Sequence, residues 1–250
     1  MRTEIRNALV IGASSGIGAA FARVLASEGA RVCLLARRRE KMEEVARGIE
    51  TAWGSGTTFI HKADVTNFAS VESSYARIEE EMGPLDLVCY AAGVMAKVEP
   101  DEFDFAKDDL VLDVNLRAAL AWLNPVAESF MKRRKGVIVG ISSIAGDRGR
   151  RAYPSYHAAK AGFSTYLESL RNRLSTHGVQ VTTIKPGFID TPMTRGMEGL
   201  FWLKSADEAA VMIWKAVRRG SATSYVPARW RLVSWVIRSI PSPIFRRLDI

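Results

Sequence analysis

Cysteine and histidine are scarce: the 250 residues hold two cysteines and three histidines. Cys33 and Cys89 each lie inside an apolar run. They are expected as buried core thiols, not as a disulfide or metal ligands. The histidines are dispersed, and no Cys/His cluster has metal-ligand spacing, so no metal site is predicted. Long apolar runs are missing too, and none has the length needed to cross a bilayer. The apolar stretch nearest the N-terminus is Ala8-Leu9-Val10-Ile11, too short for a secretory signal. Internal repeats and Pro/Gly/Ser-rich linkers are absent. These absences predict a cytoplasmic protein built as one large domain, for which the length is ample.

Acid is scarce at the C-terminal end. Of the net charge of +8, residues 215–250 carry +7, with Asp249 as their lone acid. The body is therefore close to neutral and the basic character belongs to the tail. Residues Ala228–Ile240 have helical periodicity. Trp230, Val233, Ile237 and Ile240 form an apolar stripe that Leu232 and Val236 widen, while Arg231, Ser234 and Arg238 fall on the opposite face. Pro241-Ser242-Pro243 ends that pattern. A basic, aromatic amphipathic helix suits a membrane interface, which would make the protein peripheral. It equally suits packing on its own domain or on a sister subunit. Nucleic acid is not expected as a partner, because no recognition motif accompanies the arginines.

Elsewhere β-rich apolar runs occupy Ala8–Ile11, Arg31–Ala36, Thr58–Lys62, Leu85–Ala91, Gly136–Ser142, Val179–Lys185 and Ser224–Val226. Most are continuous, as strands buried on both faces should be. Helical patterns alternate with them, at Ala19–Glu28, Arg39–Ala52, Val71–Glu81, Leu110–Arg133, Ser155–Thr176 and Ala206–Arg219. The expected fold is α/β: a single Rossmann-type, doubly wound parallel sheet of about seven strands with helices on both faces. Residues 1–227 would form this domain and 228–250 a basic extension.

The first strand runs into Gly12-Ala13-Ser14-Ser15-Gly16-Ile17-Gly18 and then a helix. In that context glycines let the backbone approach a pyrophosphate, and the helix offers free N–H groups to it. The competing reading is a turn needed only for packing. The second strand ends Ala36-Arg37-Arg38-Arg39, without the acid that usually binds a ribose 2′-hydroxyl. Arg37 and Arg38 suit a 2′-phosphate, which favours NADP(H) over NAD. A solvated arginine run is the alternative.

Tyr156 and Lys160 sit one helical turn apart and project from one face. A phenol beside a cation can donate or accept a proton near neutrality, as interconversion of a carbonyl and an alcohol requires. Ser143 precedes Tyr156 by 13 residues.

With these motifs in this order, residues 6–195 resemble the classical short-chain dehydrogenase/reductase family. Gly12, Gly16 and Gly18 resemble its cofactor turn, Asp64-Val65 its adenine-contacting pair, and Ala91-Ala92-Gly93 the end of its Asn-Asn-Ala-Gly strand. Asn115, Ser143, Tyr156 and Lys160 match its catalytic tetrad. Pro186-Gly187, Ile189 and Thr191 match the segment that holds the nicotinamide. The chain departs from the pattern at Ile11, usually Thr, and at Tyr90 and Ala91, which replace two asparagines that support the central strand. The resemblance implies that Tyr156 is general acid or base and that Lys160 binds the nicotinamide ribose. It implies that Ser143 holds the substrate oxygen, that Asn115 holds a water, and that the enzyme is a homodimer or homotetramer. Residues 190–205, with Met193, Met197, Leu200, Phe201, Trp202 and Leu203, correspond to the family's substrate lid, whose apolar content suggests a hydrophobic, lipid-like ketone or alcohol. Arg148, Arg150 and Arg151 near the expected mouth suit an anionic substrate or a solvated loop. The narrower enzymatic alternative is a 3-oxoacyl-carrier-protein reductase. The alternative from another class is a catalytically silent cofactor-binding scaffold.

Overall fold

The computed structural model describes residues 4–99 and 101–248; the outermost residues of the expected domain and tail, 1–3 and 249–250, lie outside that range. Seven parallel strands form the central sheet: β1 (Asn7–Ile11), β2 (Arg31–Ala36), β3 (Thr58–Lys62), β4 (Leu87–Tyr90), β5 (Gly136–Ile141), β6 (Val179–Pro186) and β9 (Thr223–Val226). Their order is β3-β2-β1-β4-β5-β6-β9. A two-residue pairing of β7 (Ile189–Asp190) with β8 (Lys204–Ser205) closes the intervening loop at its base. The chain winds outward from β1 in one direction and from β4 in the other. The crevice between them is the switch point where open α/β sheets bind ligands.

The continuous apolar strands divide their side chains by parity. Ala8, Val10, Leu34, Cys89 and Val139 face one core, against Phe21 and Leu25 of α1 (Gly16–Ser27), Met42 of α2 (Arg39–Trp53) and Ile213 of α7 (Ala206–Arg218). Leu9, Ile11, Leu35, Val88, Tyr90 and Ile138 face the other, against Ile78 of α3 (Val71–Met82), Trp122 of α5 (Ala118–Arg133) and Phe163 of α6 (Pro154–Leu174). Each strand is thus buried on both faces, which explains why it reads as an unbroken run. Both cysteines are buried free thiols, pushed upward in pKa by desolvation and so chemically quiet.

Two of the expected elements are redrawn. The strand expected over Leu85–Ala91 pairs only through Leu87–Tyr90. The helix expected from Leu110 begins at Phe105, because the Asp104 carboxylate accepts from the backbone N–H groups of Ala106 and Lys107 and caps α4 (Phe105–Leu112). It then widens into a π turn over Asp113–Arg117 before α5. Such wide turns concentrate at functional sites, and this one carries Asn115.

The tail folds back on the body as α8 (Trp230–Ser239) and the short α9 (Ser242–Phe245). Its buried residues are Trp230 and Ser234, and Leu232 and Val236 point outward. Ser234 therefore belongs to the inner face, contrary to the sequence pattern. The reason is a polar partner in the body. The Ser234 hydroxyl donates to Asp147 Oδ2 at 2.6 Å, Tyr225 donates to the same oxygen at 3.0 Å, and Lys185 pairs with Asp147. A buried carboxylate so satisfied attracts a hydroxyl more strongly than it would a methyl group.

Candidate active site

The glycine turn packs tightly between β1 and the loop after β4. Gly12 has φ +94°, and a Cβ there would lie 2.5 Å from the Ala92 backbone nitrogen. Only glycine fits that approach. A cleft of about 590 Å³ opens above it at the switch point. The residues expected to hold a cofactor line this cleft, with the exception of Asp64. They run from Gly12–Gly18 and Arg37, Arg38 at one end, through Val65, Ala92 and Gly93, to Pro186, Gly187, Ile189 and Thr191 at the other.

At the adenine end, Arg38 Nη2 donates to the hydroxyls of Ser14 and Ser15, both at 2.9 Å. Its guanidinium is thereby fixed across the glycine turn while remaining exposed. Arg37 lies 3.8 Å from Asp64. Desolvation acts to raise the Asp64 carboxyl, but hydrogen bonds from Thr66 and the Arg37 cation outweigh it and hold the pKa below the usual value. Asp64 itself stands at the edge of the cleft, turned to Thr66.

Ser143, Tyr156 and Lys160 line the opposite end. Pro154 opens α6 with its φ already set for a helix. Tyr156 and Lys160 follow on its inner face, with the ammonium 5.6 Å from the phenol ring centre. Lys160 is buried and donates to the Ile141 carbonyl at 3.0 Å. Desolvation lowers its pKa to about 8. Desolvation also pushes Tyr156 up to about 12, and the Ser143 hydroxyl opposes that shift. Burial, and not the neighbouring cation, therefore sets the direction of the Tyr156 shift, because moving a phenolate out of water is costly. The pair at pH 7 is a neutral phenol beside an ammonium. Ser143 caps the 3₁₀ turn Ile144–Asp147 by accepting from the Ala145 N–H at 3.0 Å, which fixes its side chain toward the cleft.

Asn115 does not line the cleft. It is fully buried behind it, and its amide donates to the carbonyls of Val94 (2.8 Å) and Val111 (2.9 Å). Both amide hydrogens are used, so the side chain clamps the segment after β4 to the π turn. Tyr90, which stands where the resembled pattern has asparagine, donates to the Val114 carbonyl at 2.7 Å. It reinforces the same junction by a different group.

Two of the three arginines near the expected mouth, Arg148 and Arg151, are turned to the tail. Arg148 Nη1 donates to the carbonyls of Ile237 and Ile240, both at 2.5 Å, and its guanidinium stacks 3.8 Å from the Phe245 ring. Arg151 donates to the Arg246 carbonyl at 2.8 Å. Arg148 thus satisfies the open end of α8 and Arg151 that of α9, where carbonyls lack intrahelical partners.

The loop expected as a lid packs against the tail. Trp230 stacks on Phe201 (5.0 Å between ring centres) and meets Phe188 and Trp202 edge to face at 5.3 and 5.8 Å. A Cβ on Gly187 would lie 2.1 Å from the indole, so that glycine admits the ring. Met193 brings its sulfur to 4.0 Å from the Tyr156 hydroxyl. Sequence reasoning did not find the Asp147–Lys185–Tyr225–Ser234 cluster or the packing of Trp230 on Phe188, Phe201 and Trp202. The sole signal for either was the glycine before Phe188. Among the described residues, no group of three or more His, Cys, Asp or Glu side chains is placed to hold a metal ion.

The short chain dehydrogenase family model matches residues 6–198. An uncharacterized oxidoreductase of Myxococcus xanthus is 33% identical over 242 residues, covering 96% of this chain and 94% of that protein. One from Staphylococcus epidermidis is 31% identical over 191 residues, 76% of this chain and 81% of its own. The crystal structure of levodione reductase superposes with a TM-score of 0.81 at 25% identity, over 89% of this chain and 95% of that one. The crystal structure of gox2181 gives the same score and identity over 89% and 93%. The chain belongs to the short-chain dehydrogenase family. It is an oxidoreductase, and members of this family use a nicotinamide cofactor on small-molecule substrates.

Proposed function

We propose that the protein is an NADP(H)-preferring oxidoreductase that interconverts an apolar, lipid-like ketone and its alcohol. The observation that carries this reading is one continuous cleft with two ends. An arginine fixed on a glycine turn lies at one end, and a neutral phenol beside a buried ammonium lies at the other.

The cleft's cradle fits the cofactor. The backbone around Gly12 is closed to any side chain, Ala36 leaves room at the strand tip, and Arg38 presents a cation with no acid beside it on the strand. Nicotinamide, when bound, supplies or takes the hydride. In reduction, Tyr156 donates its proton to the carbonyl oxygen as charge develops there. Lys160 stabilises the phenolate left behind and would hydrogen-bond the cofactor's ribose. Ser143 holds the carbonyl oxygen within reach of Tyr156. Asn115 keeps the floor of the site in register. The lid, from Met193 to Leu203, surrounds the substrate with thioether and aromatic groups and excludes water.

Residues 1–227 serve as the catalytic domain, lid 190–205 included, and 228–250 as an appendage that supports the lid and gives the enzyme access to a membrane surface. The protein works as a homo-oligomer, a dimer or tetramer. A carrier-linked acyl substrate would have to dock on the tail's arginines, because Arg148 and Arg151 are engaged with the tail.

The test is steady-state oxidation of NADPH and NADH across steroid, retinoid, acyl and small ketones, with Tyr156→Phe as control. Turnover of apolar ketones with NADPH, at least about tenfold above NADH and lost in the variant, is expected. A preference for NADH, or turnover that persists in Tyr156→Phe, would overturn the reading.

A further inference from the structure

Helix α8 has two apolar faces, and folding uses only one. Trp230 and Ser234 turn inward, and Arg148 ties down the helix end. Leu232, Trp235 and Val236 share the opposite face at helical spacings, and Leu232 and Trp235 are each 66% exposed. A helix packed on a globular body normally presents a polar outer face. Arg231 and Arg238 flank this exposed stripe on one side. Arg229 flanks the other, with its guanidinium 4.5 Å from the Trp202 ring. Through that contact the stripe adjoins the lid, where Phe201, Trp202 and Leu203 are themselves about half exposed. Ile244, Arg246, Arg247 and Leu248 continue the same chemistry on the surface. Between Ala228 and Leu248 there is no aspartate or glutamate.

We infer that the outward face of α8, together with the adjoining lid aromatics, docks on an anionic lipid bilayer and presents the substrate mouth to it. Charge decides between the possible occupants. A second copy of the same face would bring five arginines against five with no carboxylate in either segment. Anionic headgroups neutralise these arginines, while Trp235 and Leu232 enter the interfacial region. Because Phe201 stacks on Trp230 at the root of α8, contact with the bilayer bears directly on the loop that covers Tyr156. The inference rests on the apolar-substrate reading only for its purpose; the docking itself does not require turnover.

The test uses the full chain and two kinds of vesicle at physiological ionic strength. One is phosphatidylcholine alone; the other contains roughly one-third phosphatidylglycerol, enough to give a strongly negative surface. Co-sedimentation with the second and not the first is expected. Leu232→Ala/Trp235→Ala and Arg231→Glu/Arg238→Glu should each weaken partitioning by about tenfold or more. None of these side chains lines the cleft, so NADPH oxidation with a water-soluble ketone should match the wild type and report intact folding. Equal binding to both vesicle types, or wild-type binding by either double variant, overturns the inference. So does a dimer in sedimentation velocity that dissociates in Leu232→Ala/Trp235→Ala while vesicle partitioning is unchanged. Anionic-selective partitioning by an enzyme inactive on every apolar ketone supports the docking and overturns the substrate reading alone.

Discussion

Replacing Trp230 by alanine tests whether the tail is part of the site or merely attached to it. The indole is 2% exposed and touches Gly187, Phe188, Phe201 and Trp202. Truncating a buried aromatic to alanine costs about 3–5 kcal/mol. One correction works the other way. Trp230 Nε1 is buried with no hydrogen-bond partner among the described residues. An unsatisfied donor costs about 1–3 kcal/mol, and its removal returns part of that. The net destabilisation should therefore be about 1–4 kcal/mol, less than the ring's size suggests. Trp230→Phe keeps most of the packing and removes the orphaned N–H, so its cost should be under about 1.5 kcal/mol. Urea unfolding at constant m-value measures both. In steady state, Trp230→Ala should raise KM for an apolar ketone, because Phe201 loses its stacking partner, and leave KM for NADPH nearly unchanged. A Trp230→Ala protein as stable as wild type, or one whose KM rises equally for cofactor and ketone, would refute the assignment of Trp230 as the lid's support.

The pH profile of reduction follows from the two shifts at Tyr156 and Lys160. Tyr156, raised to about 12, stays protonated throughout the working range, while Lys160, lowered to about 8, loses its charge above that value. Reduction should hold level below pH 8 and fall above it; a rate rising through pH 9 would contradict that order. Arg38→Ala should cut the NADPH-over-NADH preference by about tenfold, with little effect on NADH, and equal losses with both cofactors would count against a role at the 2′-phosphate. Asp147→Asn should loosen the tail, since it leaves Lys185 without its counter-charge in a site that is nearly dry. Limited proteolysis cutting between α7 and α8 faster than in wild type is the expected sign, and unchanged cleavage would argue that Trp230 alone holds the tail. Gly12→Ala should abolish NADPH binding in fluorescence titration, because its Cβ would collide with the Ala92 backbone.

The parts legible in the sequence are those whose physics is local. Continuous apolar strands, the glycine turn and the Tyr156/Lys160 spacing each fit within a dozen residues. The cleft assembles them because parallel strands carry their C-terminal ends to one edge. The parts that escaped join distant segments. Ser234 reads as a polar-face residue until Asp147, 87 positions away, is found beneath it. Arg148 reads as a substrate contact or a solvated loop residue until the end of α8 arrives to take its hydrogen bonds. The early start of α4 was missed for a different reason. Asp104 was a visible cap, but the exposed Phe103 and Phe105 around it mask the helical pattern. The opposing shift at Tyr156 was unreadable because burial cannot be judged from spacing.

The position of Trp230 has a consequence for how this enzyme can change. The family match ends at residue 198, before Phe201 and before the tail. In the proposed reading, the proton-transfer end lies within the residues the family model matches, while the substrate end leans on the chain's final segment. A substitution that reshapes the lid must also preserve the stacking that anchors the last helix. Altered specificity and lost stability are therefore expected to arrive together. The route around that conflict is to exchange lid and tail as one cassette, residues 188–248 in a single graft, with the framework around Tyr156 left as it stands.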